Sequence, residues 1–179
     1  YAENILSVTG EYYGVEKTIE KEFEVLVKRT AKSSCHNVNP FSLSTWEKTP
    51  TSIAFGSGGS KMFILGKTGD DVNEFALSIP YCLSTAVFTD SFAISGQDYL
   101  PQSIAFNPDG TKMLIAGEES IAVYEYTLST AWDVSTATFT YLGNAGGVCD
   151  LAADSSGITN PRAIDFNSDG TKMRVIASN

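Results

Sequence analysis

The stretch Pro101-Gln-Ser-Ile-Ala-Phe-Asn-Pro-Asp-Gly-Thr-Lys-Met-Leu-Ile-Ala-Gly117 decides the fold, because the chain contains it more than once. Pro50 to Thr89 matches Pro101 to Thr140 without a gap, 51 residues earlier. Ser52-Ile53-Ala54-Phe55 sits under Ser103-Ile104-Ala105-Phe106, and Lys61-Met62 under Lys112-Met113. Gly66 sits under Gly117, Leu77-Ser78 under Leu128-Ser129, and Ser84-Thr85-Ala86 under Ser135-Thr136-Ala137. A third copy begins at Pro161, 60 residues on, and includes Asn167-Ser168-Asp169-Gly170-Thr171-Lys172-Met173. A period of this size signals a repeat architecture, in which each copy is one supersecondary unit.

The pattern inside one unit reads as four strands. Ser103 to Phe106 is short, apolar and bounded by Pro101 and by Asn107-Pro108-Asp109-Gly110, a strong turn signal. Lys112 to Ala116 follows as a second strand, and Glu118-Glu119-Ser120 turns the chain. Ile121 to Tyr126 is β-branched and aromatic, which predicts a third strand. Leu128 to Ala137 is a decorated connection, and Thr138 to Leu142 a fourth short strand. Four antiparallel strands in about 50 residues describe one propeller blade. A sandwich does not usually repeat its strands in sequence, and solenoid coils repeat at about 20 to 30 residues. The expected fold is therefore all-β: a partial β-propeller of four-stranded blades at 41–179, with units starting near 50, 101 and 161. Repeated apolar positions should fill the core. Ile53, Ile104 and Ile164 are expected to be buried, with Phe55, Phe106 and Phe166.

Ile-Ala-Phe-x-x-Asp-Gly-Thr-Lys-Met, followed by Tyr-Glu-Tyr-x-Leu-Ser-Thr-Ala-Trp-Asp-Val-Ser-Thr-Ala, resembles the β-propeller repeats of phage and other viral tail-fibre or virion-surface proteins. Those repeats are in turn similar to YVTN and WD40-like extracellular propellers. The resemblance covers about residues 41–179 and is carried mainly by the Leu128 to Ala137 connection. It implies a structural or binding role on a virion surface or outside the cell. Trp132-Asp133 is not the WD40 signature, since it lies in a connection with no Gly-His partner before it.

Residues 1–40 do not match the repeat and are expected to form a β-hairpin-like extension or attachment segment. Ile19, Phe23, Val25 and Val27 alternate with Glu20, Glu22, Glu24 and Lys28, the pattern of a strand with one wet face. Ile5 to Val8 is a possible partner, with a turn at Tyr12-Tyr13-Gly14. Phe41-Ser-Leu-Ser-Thr-Trp46 echoes Tyr126 to Trp132 and reads as the remnant of an earlier unit that has lost its fourth strand. Between the second and third units the chain is longer by nine residues, and Gly143 to Asn160 reads as a long exposed loop.

Composition narrows the function classes. A net charge of −9 and a pI near 4.5 argue against nucleic acid or an anionic membrane as partner. No apolar run approaches the roughly 20 residues of a spanning helix, so membrane insertion is not expected. The chain opens on Tyr1, so a processed chain or part of a longer product is expected. Cys35, Cys82 and Cys149 permit at most one internal disulfide. With a single His beside Cys35, neither a metal site nor any other cofactor is expected.

No nucleophile–base pair, Gly-x-Ser-x-Gly elbow or phosphate-binding glycine loop occurs. The pairs Asp70-Asp71 and Glu118-Glu119 fall in the same turn of successive units, which repetition explains. The sequence thus predicts a non-enzyme: a structural or adhesive surface protein, with a glycan-binding propeller as the alternative. Tyr81, Trp132 and Tyr141 are the candidate sugar-stacking residues, since aromatic faces suit sugar rings, although packing between blades is the commoner fate of such residues. The expected partners are other copies of the chain, further blades of a longer protein, or a cell-surface glycan.

Overall fold

The computed structural model describes residues 9–12, 15–18, 41–140, 148–151 and 159–178. The chain divides into two units, Tyr1–Ser34 and Cys35–Asn179. In the first, β1 (Thr9–Tyr12) and β2 (Val15–Thr18) pair antiparallel with Tyr12 opposite Val15. The expected strands at Ile19 to Arg29 and Ile5 to Val8 lie outside the described residues.

In the second unit, two antiparallel meanders follow one another. The first blade is β3 (Pro50–Gly56), β4 (Lys61–Gly66), β5 (Asp71–Leu77) and β6 (Ala86–Ala93), in that spatial order. The second blade is β7 (Pro101–Phe106), β8 (Lys112–Gly117), β9 (Ala122–Leu128) and β10 (Ala137–Phe139), with β11 (Val148–Asp150) also on β9. A third begins with β12 (Asn160–Phe166) and β13 (Met173–Ser178). None of these sheets closes on itself. The fold is all-β with four-stranded antiparallel sheets, as the period predicted.

The turns are made by side chains that repeat with the strands. Asp109 Oδ1 accepts from the Thr111 amide at 2.9 Å, Asn107 Oδ1 accepts from the Lys112 amide at 2.8 Å, and Gly110 takes φ +74°. Asp169, Asn167 and Gly170 repeat this with the same two distances and φ +70°. Short polar side chains that bond their own backbone fix a hairpin locally, before any packing.

The blades pack face to face. One apolar cluster joins Phe63, Leu65, Val72 and Ile94 of the first blade to Ile104, Met113, Tyr126 and Val134 of the second. Another joins Ala105, Leu114 and Val123 of the second blade to Ile164 of the third, with Met173 and Val175 packed against it. The innermost strands β3, β7 and β12 lie side by side. Ser52 Oγ accepts from the Ile104 amide at 3.3 Å, and Ser103 Oγ accepts from the Ile164 amide at 3.1 Å. The serine of Ser-Ile-Ala-Phe thus stitches each inner strand to the next.

Four sequence expectations are corrected. Ile104 and Ile164 are buried, but Ile53 is 50% exposed. Phe55, Phe106 and Phe166 are half-buried, each lying near the end of its inner strand. Phe41 to Trp46 is not a truncated copy of Tyr126 to Trp132. Its Trp46 and Glu47 amides both donate to the Leu43 carbonyl, just as Gln97 and Asp98 donate to Ile94. Phe41 meets Phe75 edge-on at 5.3 Å, as Phe92 meets Tyr126 at 5.4 Å. Phe41 to Glu47 therefore corresponds to Phe92 to Asp98, the end of a fourth strand and the turn after it.

The extra chain before Pro161 is also not one loop. Val148, Cys149 and Asp150 pair with Tyr124, Val123 and Ala122, so they resume the fourth strand that β10 began. Matching them to Ser91, Phe92 and Ala93 places six of the nine extra residues inside that strand, after Phe139. The other three lie between Asp150 and Pro161.

Candidate functional site

In an antiparallel meander, the first-to-second and third-to-fourth connections emerge at one end of the blade. The second-to-third connections and the links between blades emerge at the other. Each end has its own repeated polar apparatus.

At the first end, the Leu-Ser-Thr connections fold back over the hairpins. The Trp132 amide donates to the Gly110 carbonyl, and the Tyr81 amide to the Gly59 carbonyl, both at 2.9 Å. Trp132 has φ +63° and Tyr81 φ +59°, so bulky residues hold left-handed conformations at the same repeat position. Such conformations cost about 1–3 kcal/mol and persist only where surroundings impose them. Thr136 and Thr85 help to impose them. Each hydroxyl donates at 2.8 Å to a carbonyl within its connection, Asp133 and Cys82 respectively. Cys82 is buried and disulfide-bonded.

The consequence for the expected sugar contacts is direct. Trp132 is half-buried, with its ring 5.3 Å from Phe106 and 6.3 Å from Phe63 of the preceding blade. It is packing between blades. Tyr81 leans on Phe55 at 5.3 Å and stays 63% exposed. The two occupy equivalent places one blade apart and do not converge. Tyr141 lies outside the described residues.

Next to Trp132 lies the strongest polar contact between blades. Glu74, almost fully buried, accepts at Oε1 from Lys61 Nζ at 2.5 Å and from Thr89 Oγ1 at 3.0 Å. Its Oε2 accepts from the Val134 amide of the next blade at 2.9 Å. Glu125 repeats the ion pair with Lys112 at 2.8 Å.

At the second end, buried acids anchor the links between blades. Glu47 accepts from the Thr49 amide at 2.5 Å and from the Thr68 amide at 3.2 Å. Asp98 accepts from the Leu100 amide at 2.7 Å and from Ser120 Oγ at 2.6 Å. A Cβ on Gly66 would stand 2.0 Å from Glu47, and one on Gly117 2.1 Å from Asp98, so only glycine fits under each acid. Burial pushes the Glu47 carboxyl up, but hydrogen bonds from Thr49 and Thr68 outweigh it and hold it below its ordinary value. Asp71 moves the other way. Burial raises it and the charges of Glu47 and Asp70 add to that, against a hydrogen bond from Asn73.

These anchors hold a row of polar side chains across three units. Glu118 Oε2 receives Gln102 Nε2, stands 3.3 Å from Arg162 Nη1 of the third unit, and 3.9 Å from Lys67 Nζ of the first. Glu119 Oε2 accepts from the Tyr99 amide at 3.2 Å, beside the exposed Tyr99 and Leu100 side chains. Exposed ion pairs contribute about 0–1 kcal/mol each to stability, so the row does little for the fold. It offers a carboxylate, a guanidinium, an amide and a free aromatic ring, a set able to hold a polar ligand.

The sequence reading missed this row because it treated Glu118-Glu119 as a repeat of Asp70-Asp71. In register, Glu118 stands where the first blade has Lys67, a reversal of charge that the 51-residue alignment displays. Among the described residues, no three His, Cys, Asp or Glu side chains gather into a metal site. None of the described helices is long and apolar enough to cross a membrane.

No family model matches the chain. No curated protein matches it either. Solved structures do. A 6-phosphogluconolactonase-like protein from Bacteroides fragilis matches 72% of this chain at 15% identity and TM-score 0.54. One from Bacteroides uniformis matches 73% at 14% identity and TM-score 0.53. The β-propeller domain of Cps50 (Swd1) from Myceliophteria thermophila matches 72% at 6% identity and TM-score 0.48. The chain spans about one third of the length of these structures: 32%, 34% and 36%. The likenesses concern the fold, and no reaction or substrate is carried over at such identities. The two 6-phosphogluconolactonase-like structures do overturn the expectation of a non-enzyme. That expectation rested on missing motifs, and the same strand arrangement occurs in enzyme-like chains without any sequence signal shared with this one.

Proposed function

We propose that the chain is the propeller-building part of a structural or adhesive protein displayed on a virion surface or outside the cell. It presents outward the end that carries Lys67, Glu118, Arg162 and Tyr99. The observation that carries this reading is that polar row, which crosses three units while adding little to their stability. Loops on a rigid scaffold are where recognition concentrates. The disulfide at Cys82 fits an oxidising compartment. The net charge of −9 suits a soluble exterior and disfavours nucleic acid as a partner. Antibodies raised against residues 99–102 should label intact particles or unpermeabilised cells of the source. Labelling only after permeabilisation would refute the reading.

A second reading, glycan binding, is favoured by one observation. Tyr99 is 58% exposed and is tied to Glu119, next to Glu118 and its Arg162 and Lys67 partners. Aromatic rings beside carboxylates and amides suit sugar rings and their hydroxyls. Saturable binding on a glycan array, lost in both Tyr99→Ala and Arg162→Ala, would support it. Binding lost only in Tyr81→Ala would move the site to the opposite end.

A further inference from the structure

Among the described residues, the first blade has an open face where the second blade has a filled one. Ile53, Tyr81 and Leu83 are 50%, 63% and 41% exposed. Their counterparts one period on are Ile104 at 4%, the half-buried Trp132 and Val134 at 0%. The residues match in kind, so the difference lies in what covers them. The second blade is covered by the first. Phe63 meets Phe106 and Trp132, Ser52 takes the Ile104 amide, and Glu74 takes the Val134 amide. On the first blade, Phe41, Leu43 and Trp46 cover the part that holds Met62, Ile64 and Phe75. Among the described residues nothing accepts a hydrogen bond from the Leu83 amide, the counterpart of the amide latched by Glu74.

We infer that the Ile53–Tyr81–Leu83 face is a docking site for one further unit of this same repeat. That unit bears Ser, an apolar side chain and Glu at the positions of Ser52, Phe63 and Glu74. The carboxylate caps the Leu83 amide and the apolar side chain lies over Tyr81. The chemistry selects against a second copy of this chain. The outward faces of its first two blades are occupied by their own successors. Its third unit offers Ala163 and Arg174 at the serine and phenylalanine positions. With alanine at the serine position the Ile53 amide would have no acceptor, whereas Ser52 and Ser103 each supply one to the next inner strand. This inference concerns a different surface from the polar row and stands independently of the displayed-protein reading.

The test is a variant in which residues 50–100 are duplicated in tandem ahead of Pro50, which keeps the 51-residue period. Amide hydrogen exchange is followed at Leu83 of the original unit, with Val134 as the internal control for folding. Exchange at Leu83 should slow at least about tenfold, and Glu74→Gln in the inserted unit should reverse most of that, as loss of a charge-assisted bond implies. Unchanged exchange at Leu83 with Val134 still protected would overturn the inference. A second measurement needs no duplication. In the unaltered chain, Val134→Asp should lower the urea midpoint clearly and Leu83→Asp should leave it in place. An equal drop for both, or Leu83 as protected as Val134 in the unaltered chain, would mean that the face is already covered, and would also overturn it.

Discussion

Removing the carboxylate of Glu74 should cost far more than removing the same group from Glu125, although the two occupy the same repeat position. Both glutamates pair with the lysine at the start of the neighbouring strand, Lys61 at 2.5 Å and Lys112 at 2.8 Å. Glu125 has its side chain 12% exposed and serves its own blade. Glu74 has its side chain 3% exposed and also receives the Val134 amide of the next blade. In Glu74→Gln, one acceptor oxygen has to serve both the lysine and the amide, so one buried donor is left unmatched. An unsatisfied buried donor costs about 1–3 kcal/mol, more if charged, and breaking a buried ion pair about 3–5 kcal/mol. With Lys61 itself partly solvated, about 3 kcal/mol is expected for Glu74→Gln. For Glu125→Gln, whose lysine can turn to water, about 1 kcal/mol is expected. Equilibrium urea unfolding of the two variants measures the difference directly, provided the slope with denaturant is unchanged. A Lys61→Met, Glu74→Gln double-mutant cycle then separates the ion pair from the contact between blades. Equal losses within about 0.5 kcal/mol would refute the claim that this carboxylate joins the blades.

Three other outcomes follow from the same structure. Ile104→Ala should cost about 2–4 kcal/mol and Ile53→Ala less than about 1 kcal/mol in the same assay, since one is 4% and the other 50% exposed. Gly58→Ala should cost about 1 kcal/mol, because its φ is +66° but nothing stands within 4 Å of a new Cβ. Gly110→Ala should cost clearly more, because at φ +74° its Cβ would stand 2.2 Å from the Trp132 ring, and the indole emission should shift with it. The carboxyl of Glu47 is held below its unfolded value, so it contributes stability above that value and loses it as pH falls through the lower, folded one. A Glu47→Gln variant should therefore show a flatter decline of melting temperature on acidification than the parent chain.

The period, the turns and the strand order were legible in the sequence because each is set within a few residues. Asn107-Pro108-Asp109-Gly110 makes its hairpin from its own side chains, and Asn167 to Gly170 makes the same one again. The alternation of apolar residues sufficed for four strands per unit and for an all-β chain. A 51-residue repeat also carried the paired positions of Lys61 with Glu74 and Lys112 with Glu125, although only the strand pairing shows that they touch. What tertiary structure decided is everything that depends on a neighbour distant in the chain. Ile53 and Ile104 are the same residue in the same motif, yet only the one with a blade in front of it is buried. In sequence Trp132 is open to two readings, a sugar contact or packing between blades, and its connection folding onto the preceding blade decides for packing. Val148 to Asp150 reads as loop because six residues interrupt the strand, and only pairing with β9 restores it. Backbone turns are local and written in residue type, whereas burial and contacts between blades belong to pairs of surfaces and arise only when the surfaces meet.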